Sequence, residues 1–208
     1  PVQARQELLR QLVDLQDKLR SNEQSMTFLS VDIVGSTRMK EQSDPLSIEF
    51  TFNEYHQFVE MIVRRYGGPV HSTAGDCMTC AFEHPQQAFG AARTVQTGLV
   101  ELNTFRNKIG IPIQLRVGVH TGTVVAPSKD DIKSVNFAHV IDIAAHLQKV
   151  CPIGGIAVSE PAAMLLPGGT KAVGTECAEA SGVRAVVWRP KQSLQIAGAT
   201  EPPAPPTE

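Results

Sequence analysis

Residues 26–37 read MTFLSVDIVGST, an apolar run that ends in an aspartate and passes into a turn of small residues. The run from Met26 to Ile33 is apolar enough for a central β-strand. Asp32 then falls at the carboxyl end of that strand, just before a Gly-Ser-Thr turn. The stretch therefore predicts a buried strand with an acidic side chain at its end.

The segments that follow alternate between helical and strand patterns. A stripe of apolar residues predicts a helix that ends near Gly67 and Gly68, carried by Ile48, Phe52, Tyr55, Val59 and Ile62. The runs PVHST and CMTCAF predict two strands, and Gly75 and Asp76 between them are typical of a hairpin turn.

A second amphipathic helix comes next, marked by Ala88, Ala92, Val95, Leu99 and Leu102. We expect two strands in IQLRVGVH and TVVAP, a third helix over about 137–150, and a last strand in GGIAVSE. The order strand, helix, strand, strand, helix, strand predicts an α/β (α+β) fold. Its core is a ferredoxin-like split βαββαβ unit with added strands and helices.

An N-terminal helix precedes this core. Residues 4–22 contain no Gly or Pro, and leucines recur at spacings of four, three and four at Leu8, Leu12, Leu15 and Leu19. This seam suits a two-stranded coiled coil, and a helix packed on its own domain is the alternative. We assign 1–24 to a signalling linker from an upstream sensor or receiver domain and 25–192 to the domain. Residues 193–208 form a Pro-rich tail expected to be disordered.

Composition narrows the class of protein. The chain has 208 residues, of which 42% are hydrophobic and 19% charged, as in soluble folded domains. A net charge of −2 offers no basic surface for nucleic acid. No apolar run is long enough to span a bilayer, so we expect a cytoplasmic segment without direct membrane contact, whose parent protein could be anchored. The four cysteines fit small buried residues better than a zinc site.

Two aspartates in this pattern predict a metal site. In a split βαββαβ sheet, the strand end at Asp32 and the hairpin tip at Asp76 can lie side by side. Paired carboxylates suit Mg²⁺ or Mn²⁺ in a two-metal site that also binds phosphate oxygens. The turn after Asp32 would direct backbone N–H groups at a polyphosphate. Alternatively, Asp32 is an ordinary cap and Asp76 only a turn residue.

Several blocks of the sequence resemble class III adenylyl and guanylyl cyclases. TFLSVDIVGSTRM is similar to the first metal-binding motif of that family, and STAGDCMTCAF to the second. LRVGVHTGTVVA resembles the strand segment that follows, while VIDIAAHLQ and GGIAVSE resemble the catalytic helix and the next strand. The blocks occur in family order over residues 26–160.

This resemblance implies an activity and a set of partners. Such domains are lyases that convert a nucleoside triphosphate into a 3′,5′-cyclic monophosphate and pyrophosphate. They act as homodimers whose two active sites each use both subunits. By position, the metal ligands become Asp32, Asp76 and the backbone carbonyl of Ile33. Residues of the turn would lie near the phosphates, namely Gly35, Ser36 and Thr37.

Other family positions are substituted. The base-selecting lysine aligns with Ser72, and its partner aligns with Val135. The catalytic asparagine aligns with Asp142, and the arginine one helical turn later aligns with His146. An ionised aspartate only accepts hydrogen bonds, whereas an asparagine also donates. A histidine does not supply the fixed positive fork of an arginine. We therefore expect turnover to be severely impaired.

One helix face could compensate for these losses. Asp142, His146 and Lys149 follow at spacings of four and three, so they share a face. We expect Asp142 to hold His146 as a cation and Lys149 to reach a phosphate in place of the missing arginine. The alternative is that these three residues form only a solvated polar face.

Three hypotheses about function remain open at this point. The first is a regulatory domain that binds a divalent metal and a nucleoside triphosphate with weak or no turnover. The second is an active homodimeric cyclase with altered base preference, because Ser72 and Val135 cannot read adenine as a lysine and an aspartate do. The third is a structural dimerisation module, which would leave the two aligned aspartates without a role.

Overall fold

A computed structural model describes residues 2–21, 23–125 and 139–190 of the chain. The described residues form seven strands, which in chain order are β1 (Glu23–Ile33), β2 (Val70–Ala74), β3 (Cys77–Phe82), β4 (Leu115–Val125), β5 (Ile156–Ser159), β6 (Glu176–Ala180) and β7 (Val183–Trp188). All seven belong to one sheet in the order β2-β3-β1-β4-β5-β7-β6.

The first four strands confirm the predicted fold class. The long strand β1 lies between β3 and β4 and is antiparallel to both, while β2 pairs antiparallel with β3 on the outside. This is the strand order of a ferredoxin-like βαββαβ unit. The added strands extend the sheet beyond β4, because β5 pairs parallel with β4 and then antiparallel with β7, which pairs with β6.

The expectation of two separate strands in IQLRVGVH and TVVAP was wrong. One strand, β4, runs from Leu115 in the first stretch to Val125 in the second without a break, and it pairs with β1 from Glu23 opposite Val125 to Ile33 opposite Leu115. The Thr121-Gly122 pair stays extended because the hydroxyl oxygen of Thr121 lies 2.8 Å from that of Thr27 on β1. The buried hydrogen bond ties the two strands together at the point where a turn was expected.

One face of the sheet packs against the helices α3 (Pro45–Arg65), α4 (Pro85–Glu101) and α6 (Glu160–Met164). The predicted stripe of α3 is confirmed, since its members from Phe52 onward are buried in this core. Asp44 caps the N-terminus of α3, because its carboxylate accepts a hydrogen bond from the Ser47 N–H. Pro45 occupies the first helical position. A short helix, α2 (Ser36–Gln42), connects β1 to α3.

The other face of the sheet packs against α5 (His139–Val150). On this helix Ala144 and Leu147 are buried, while Ile141 is only half-buried. The helix lies so close to β4 that a Cβ at Gly118 would be 2.1 Å from the Ala144 carbonyl oxygen. Gly118 therefore sets the distance between this helix and the sheet.

The N-terminal helix α1 (Val2–Arg20) exposes most of its leucine seam. Leu8, Leu12 and Leu15 are 66%, 52% and 58% exposed, so the domain does not cover them. The side chain of Leu19 and the tail 193–208 lie outside the described residues. Across the described segments, each helix is too short or too polar to cross a membrane.

The cysteines only partly follow their prediction. Cys80 and Cys151 are buried, Cys77 is half-buried, and Cys177 is exposed, which contradicts the expectation for that residue. All four are free. Because Cys77 and Cys80 are three residues apart on one strand, their side chains point to opposite faces of the sheet.

Candidate metal and nucleotide site

The structure brings Asp32 and Asp76 together at one end of the sheet. The pairing of β1 with β3 runs from Thr27 opposite Phe82 to Val31 opposite Met78, so Asp32 follows the last pair next to the hairpin tip. The two carboxyl groups are close enough that each shifts the pKa of the other. Asp32 is half-buried and Asp76 is 7% exposed. A pair of acidic groups thus shares a partly desolvated position.

The proximity of the two groups changes their acidity. Burial, followed by the hydrogen bond and the charge of Asp76, raises the pKa of Asp32 to about 6. Burial alone would also raise the pKa of Asp76, but hydrogen bonds from Ser36, Lys40 and Asp32 lower it below its ordinary value. One carboxyl therefore holds a proton more tightly and the other less, the usual outcome for two acids in contact.

Two basic side chains that the sequence patterns did not single out also reach this site. Lys40 Nζ lies 3.1 Å from Asp76 Oδ1. Arg116 lies opposite Asp32 on β4, and its charge lowers the pKa of that aspartate. Lys40 follows Ser36 by one helical turn, and both contact Asp76, so this spacing on α2 was an available signal. Arg116 could be found only once the register of β1 against β4 was known.

One observation tests whether a divalent cation fits here. Asp76 Oδ2 is buried and, among the described residues, has no hydrogen-bond partner. In the described part of the chain, no cluster of three or more His, Cys, Asp or Glu side chains could hold a metal. A cation at this position would need backbone, water or ligand oxygens beside the two carboxylates, which is the way Mg²⁺ is commonly bound. The residues present fit such an ion.

The turn after β1 has the geometry expected near this pair. Gly35 adopts a left-handed conformation with φ of 71°, which a residue with a side chain rarely takes. The Ser36 hydroxyl lies near Asp76 and lowers the pKa of that aspartate, and Thr37 is exposed. The helix that begins here, α2, has only seven residues.

Ser72 lies on the same sheet face as Asp32. It is opposite Thr79 on β3, which is in turn opposite Ser30 on β1, two residues from Asp32. A register shift between Val70 and Ser72 inserts His71 as an extra residue, and its ring packs edge-on against Phe28 at 5.8 Å. The other predicted base-selecting position, Val135, lies outside the described residues.

The three polar residues of α5 do not stay together. His146 Nδ1 lies 2.6 Å from the Ser181 hydroxyl, in the turn between β6 and β7. Lys149 lies in the last turn of the helix, and its charge acts on Cys77, which follows Asp76. The carbonyl of Lys149 accepts a 3.5 Å hydrogen bond from Arg116. Asp142 is exposed near the start of the helix. Of these three residues, Lys149 is the one whose charge acts on Cys77, the residue that follows Asp76.

The sequence as a whole matches a family model for the adenylate and guanylate cyclase catalytic domain over residues 19–194. A membrane guanylyl cyclase of Dictyostelium discoideum is 30% identical over 107 residues, which are 49% of this chain and 7% of that protein. The chain thus spans a small part of that relative.

Two solved structures share the fold. The guanylate cyclase domain of RhGC from Catenaria anguillulae, in complex with GTP, is 20% identical with a TM-score of 0.66 over 80% of this chain and 96% of that chain. The non-canonical dimeric guanylyl cyclase domain of the RhoGC fusion protein from Blastocladiella emersonii is 19% identical with a TM-score of 0.64. That match covers 79% of this chain and 94% of the other.

Proposed function

The chain belongs to the family of adenylate and guanylate cyclase catalytic domains, and from this membership we propose that it binds a divalent cation and a nucleoside triphosphate with weak or no turnover. The observation that carries the proposal is the contact between Asp32 and Asp76, with a buried carboxylate oxygen of Asp76 left without a partner. A buried acidic pair of this kind is costly unless a cation compensates it.

In this proposal, Asp32, Asp76 and the carbonyl of Ile33 hold Mg²⁺ or Mn²⁺ in a two-metal site. When bound, such ions neutralise phosphate charge and activate an attacking oxygen. The chain's own contribution is to orient the triphosphate, with Gly35, Ser36 and Thr37 beside the phosphates. The base would then lie on the same sheet face towards Ser72, which is level with Ser30, roughly 7 Å back along the strand from Asp32, and two strands away, roughly 10 Å across the sheet.

The side chains at the catalytic positions of α5 support weak turnover. Asp142 can accept but not donate a hydrogen bond to a ribose hydroxyl when ionised. His146 is engaged with Ser181 at 2.6 Å and provides no fixed positive fork. Losing one preorganised donor at a developing charge typically costs about 2.7–4 kcal/mol of transition-state stabilisation. Loss of two donors would slow turnover by about 10⁴-fold if the losses add.

An active homodimeric cyclase is the second candidate, and one observation favours it. The charge of Arg116 acts on Asp32, and the charge of Lys149 acts on Cys77, which follows Asp76 in the chain. These residues could stabilise phosphate charge in place of the missing arginine. An active enzyme would have an altered base preference, because Ser72 offers only a hydroxyl where the family has a lysine.

We also propose that the protein acts as a homodimer in a signalling chain. The exposed seam of α1 supports this, since three leucines at coiled-coil spacing face solvent in one copy. In the family, each active site uses residues of two subunits, which would bring α5 of one copy to Asp32 of the other. A sensor or receiver domain upstream would then act through α1.

Calorimetry and a product assay test these proposals together. We expect Mn²⁺-dependent binding of GTP or ATP that is lost in Asp32→Asn and in Asp76→Asn. Glu41→Gln is the matched control, because it removes one exposed carboxylate from the neighbouring helix α2. Incubation with each of the four nucleotides and Mn²⁺ should yield little or no cyclic product. Rapid cyclic product formation that requires both aspartates would replace the binding-only proposal with the active one, and absence of triphosphate binding would refute both.

A further inference from the structure

Lys40 occupies an unusual position for a surface lysine. Its ammonium lies 3.1 Å from Asp76 Oδ1 and 5.2 Å from the centre of the Phe52 ring. The Lys40 side chain is 45% exposed, while that of Asp76 is only 10% exposed. A cation therefore reaches from solvent to one of the two carboxylates proposed to hold a metal ion.

We propose that Lys40 is a built-in counter-ion that competes with the divalent cation for Asp76 and then binds the polyphosphate of the nucleotide. The inference rests on the proposed metal and triphosphate site. In this inference the ammonium of Lys40 has two successive partners, first the carboxylate of Asp76 and then an oxygen of the terminal phosphate groups.

The competition follows from the contact geometry. Asp76 has two carboxylate oxygens, of which Oδ1 contacts Lys40 and Oδ2 is buried without a partner among the described residues. A divalent ion between Asp76 and Asp32 brings two positive charges to within a few ångströms of the ammonium. Repulsion between them disfavours the simultaneous presence of both cations on Asp76. Binding of the metal must therefore displace Lys40 or take place against its charge.

The second ligand follows from where Lys40 is attached. Lys40 belongs to α2, the helix that starts at Ser36 directly after the turn proposed for the phosphates. Its ammonium also lies over the Phe52 ring, and this contact does not depend on Asp76, so it can hold the charge at the site when the carboxylate is released. A lysine is a compact point charge suited to phosphate oxygens. A polyphosphate bound to the metals would be the nearest anion that could replace Asp76.

A neighbour on the same helix provides the comparison. Arg38 is also exposed and basic, but its Nε donates to Gln42 at 3.3 Å, one turn along the helix. No contact of Arg38 with Asp76 or Asp32 is present in the described structure. The charge of Lys40 is directed at the carboxylate pair, and that of Arg38 is not. A comparison of variants at these two positions therefore distinguishes the contact of Lys40 from the general effect of positive charge on α2.

The test uses calorimetry on the full chain with two probes, Mn²⁺ alone and inorganic tripolyphosphate in saturating Mn²⁺. Lys40→Met keeps an apolar stem and removes the charge, Lys40→Gln repeats the test with a polar side chain, and Lys40→Arg retains a charge. Arg38→Met is the matched control. Thermal unfolding of each variant verifies that the domain is folded, and either neutral variant suffices for the comparison.

The proposal predicts effects of opposite sign. Lys40→Met should bind Mn²⁺ alone about two- to fivefold more tightly. The reason is that the exposed ion pair between Lys40 and Asp76, which competes with the metal ion, is absent in this variant. It should bind tripolyphosphate about tenfold more weakly, because a charge-assisted hydrogen bond is lost. Lys40→Arg should stay close to the wild type in the second measurement, and Arg38→Met should change both affinities less than Lys40→Met does.

The outcomes distinguish this inference from the proposed function. If the wild type binds Mn²⁺ and the aspartate variants do not, while Lys40→Met equals the wild type or weakens both affinities, only the inference on Lys40 is overturned. If the wild type binds no Mn²⁺, the proposed metal site fails and the inference fails with it. A larger effect of Arg38→Met than of Lys40→Met would also contradict the role of Lys40.

Discussion

Two neighbouring carboxyl groups are unfavourable in their ionised forms unless a proton or a cation lies between them. Asp32 and Asp76 are in this situation at the end of β1. The pKa of Asp32 is raised first by burial and then by Asp76, in the absence of a metal ion. Addition of Mg²⁺ or Mn²⁺ should favour the ionised form of Asp32, because a bound cation attracts both carboxylates.

This pair predicts a pH dependence of stability. The pKa of Asp32 is raised from 3.8 to about 6, so its contribution to stability is present below 3.8 and is lost as the pH rises through about 6. We expect the urea midpoint of the metal-free protein to fall over this interval more than that of Asp32→Asn. Asp76, whose pKa is lowered, acts in the opposite direction below its ordinary value of 3.8, outside this window.

Urea titrations at several pH values in the presence of a chelator provide the measurement. Glu41→Gln serves as the control, because this carboxylate is exposed. Equal pH profiles for the wild type and Asp32→Asn would show that the two aspartates do not interact as described.

At the scale of residues, the sequence predicts acidic side chains better than their partners. Asp32 and Asp76 could be located because each follows a strand-like run, and strand ends of a known topology meet. The contact of Lys40 with Asp76 spans 36 positions and that of His146 with Ser181 spans 35. Such contacts depend on how helices are placed on the sheet, which local patterns do not contain.

At the scale of elements, the most demanding contact is that of α5 with β4. A side chain at Gly118 would meet backbone atoms of the helix, with the Ala144 oxygen at 2.1 Å and the Gln148 nitrogen at 2.4 Å. Backbone atoms cannot change rotamer to make room, so the helix itself would have to move. Gly118 therefore fixes how deeply the helix is seated.

Gly118→Ala should lower the free energy of unfolding by about 3 kcal/mol, the upper part of the range for overpacking. Gly122→Ala is the matched control on the same strand, because the nearest atoms to its added Cβ belong to the side chains of Val140, at 2.7 Å, and His120, at 3.5 Å. We expect a smaller loss, about 1 kcal/mol, since a side chain can adjust. Chemical denaturation of both variants provides the comparison, and equal losses would contradict this account of the packing.

The polar face of α5 leads to a prediction about activity. If Asp142 and His146 align with the family's asparagine and arginine, the double change Asp142→Asn and His146→Arg should increase cyclic product formation at least tenfold, since each restores a donor. Asp142→Asn combined with His146→Lys should give a smaller gain, because a lysine lacks the planar fork.

Product formation from each of the four nucleotides with Mn²⁺ provides the measurement. No gain from the arginine-containing double variant would argue against this alignment of α5.

The elements also show where periodicity is informative. The stripe of α3 was predictable because one face of the helix meets the sheet. The continuity of β4 was not, because Thr121-Gly122 reads as a turn until its partner strand is known. On α5, Ile143 is buried in a cluster with residues of β5 and β7, which the sequence patterns did not place under this helix. Ile141 is only partly buried, beside a cluster that includes residues of β1.

At the scale of the whole molecule, the exposed seam of α1 predicts self-association. Leu12→Glu should raise the dissociation constant of a dimer at least tenfold, because a charge would be buried in the seam. Val13→Glu is the matched control, since Val13 and Leu12 are both 52% exposed but Val13 lies off the seam. Sedimentation equilibrium measures the effect, and a dimer that tolerates Leu12→Glu would show that α1 is not the interface.

Only two positions, 21 and 22, separate the end of α1 at Arg20 from the start of β1 at Glu23. Asp32 is the penultimate residue of that same strand. A rotation of α1 would therefore act on a strand that pairs with β4 over its whole length and with β3 from Thr27 to Val31. Rotation of α1 would change the twist of β1 and, at the far end of that strand, the distance between the carboxyl groups of Asp32 and Asp76. An upstream input could thus tune cation affinity without any hinge inside the domain.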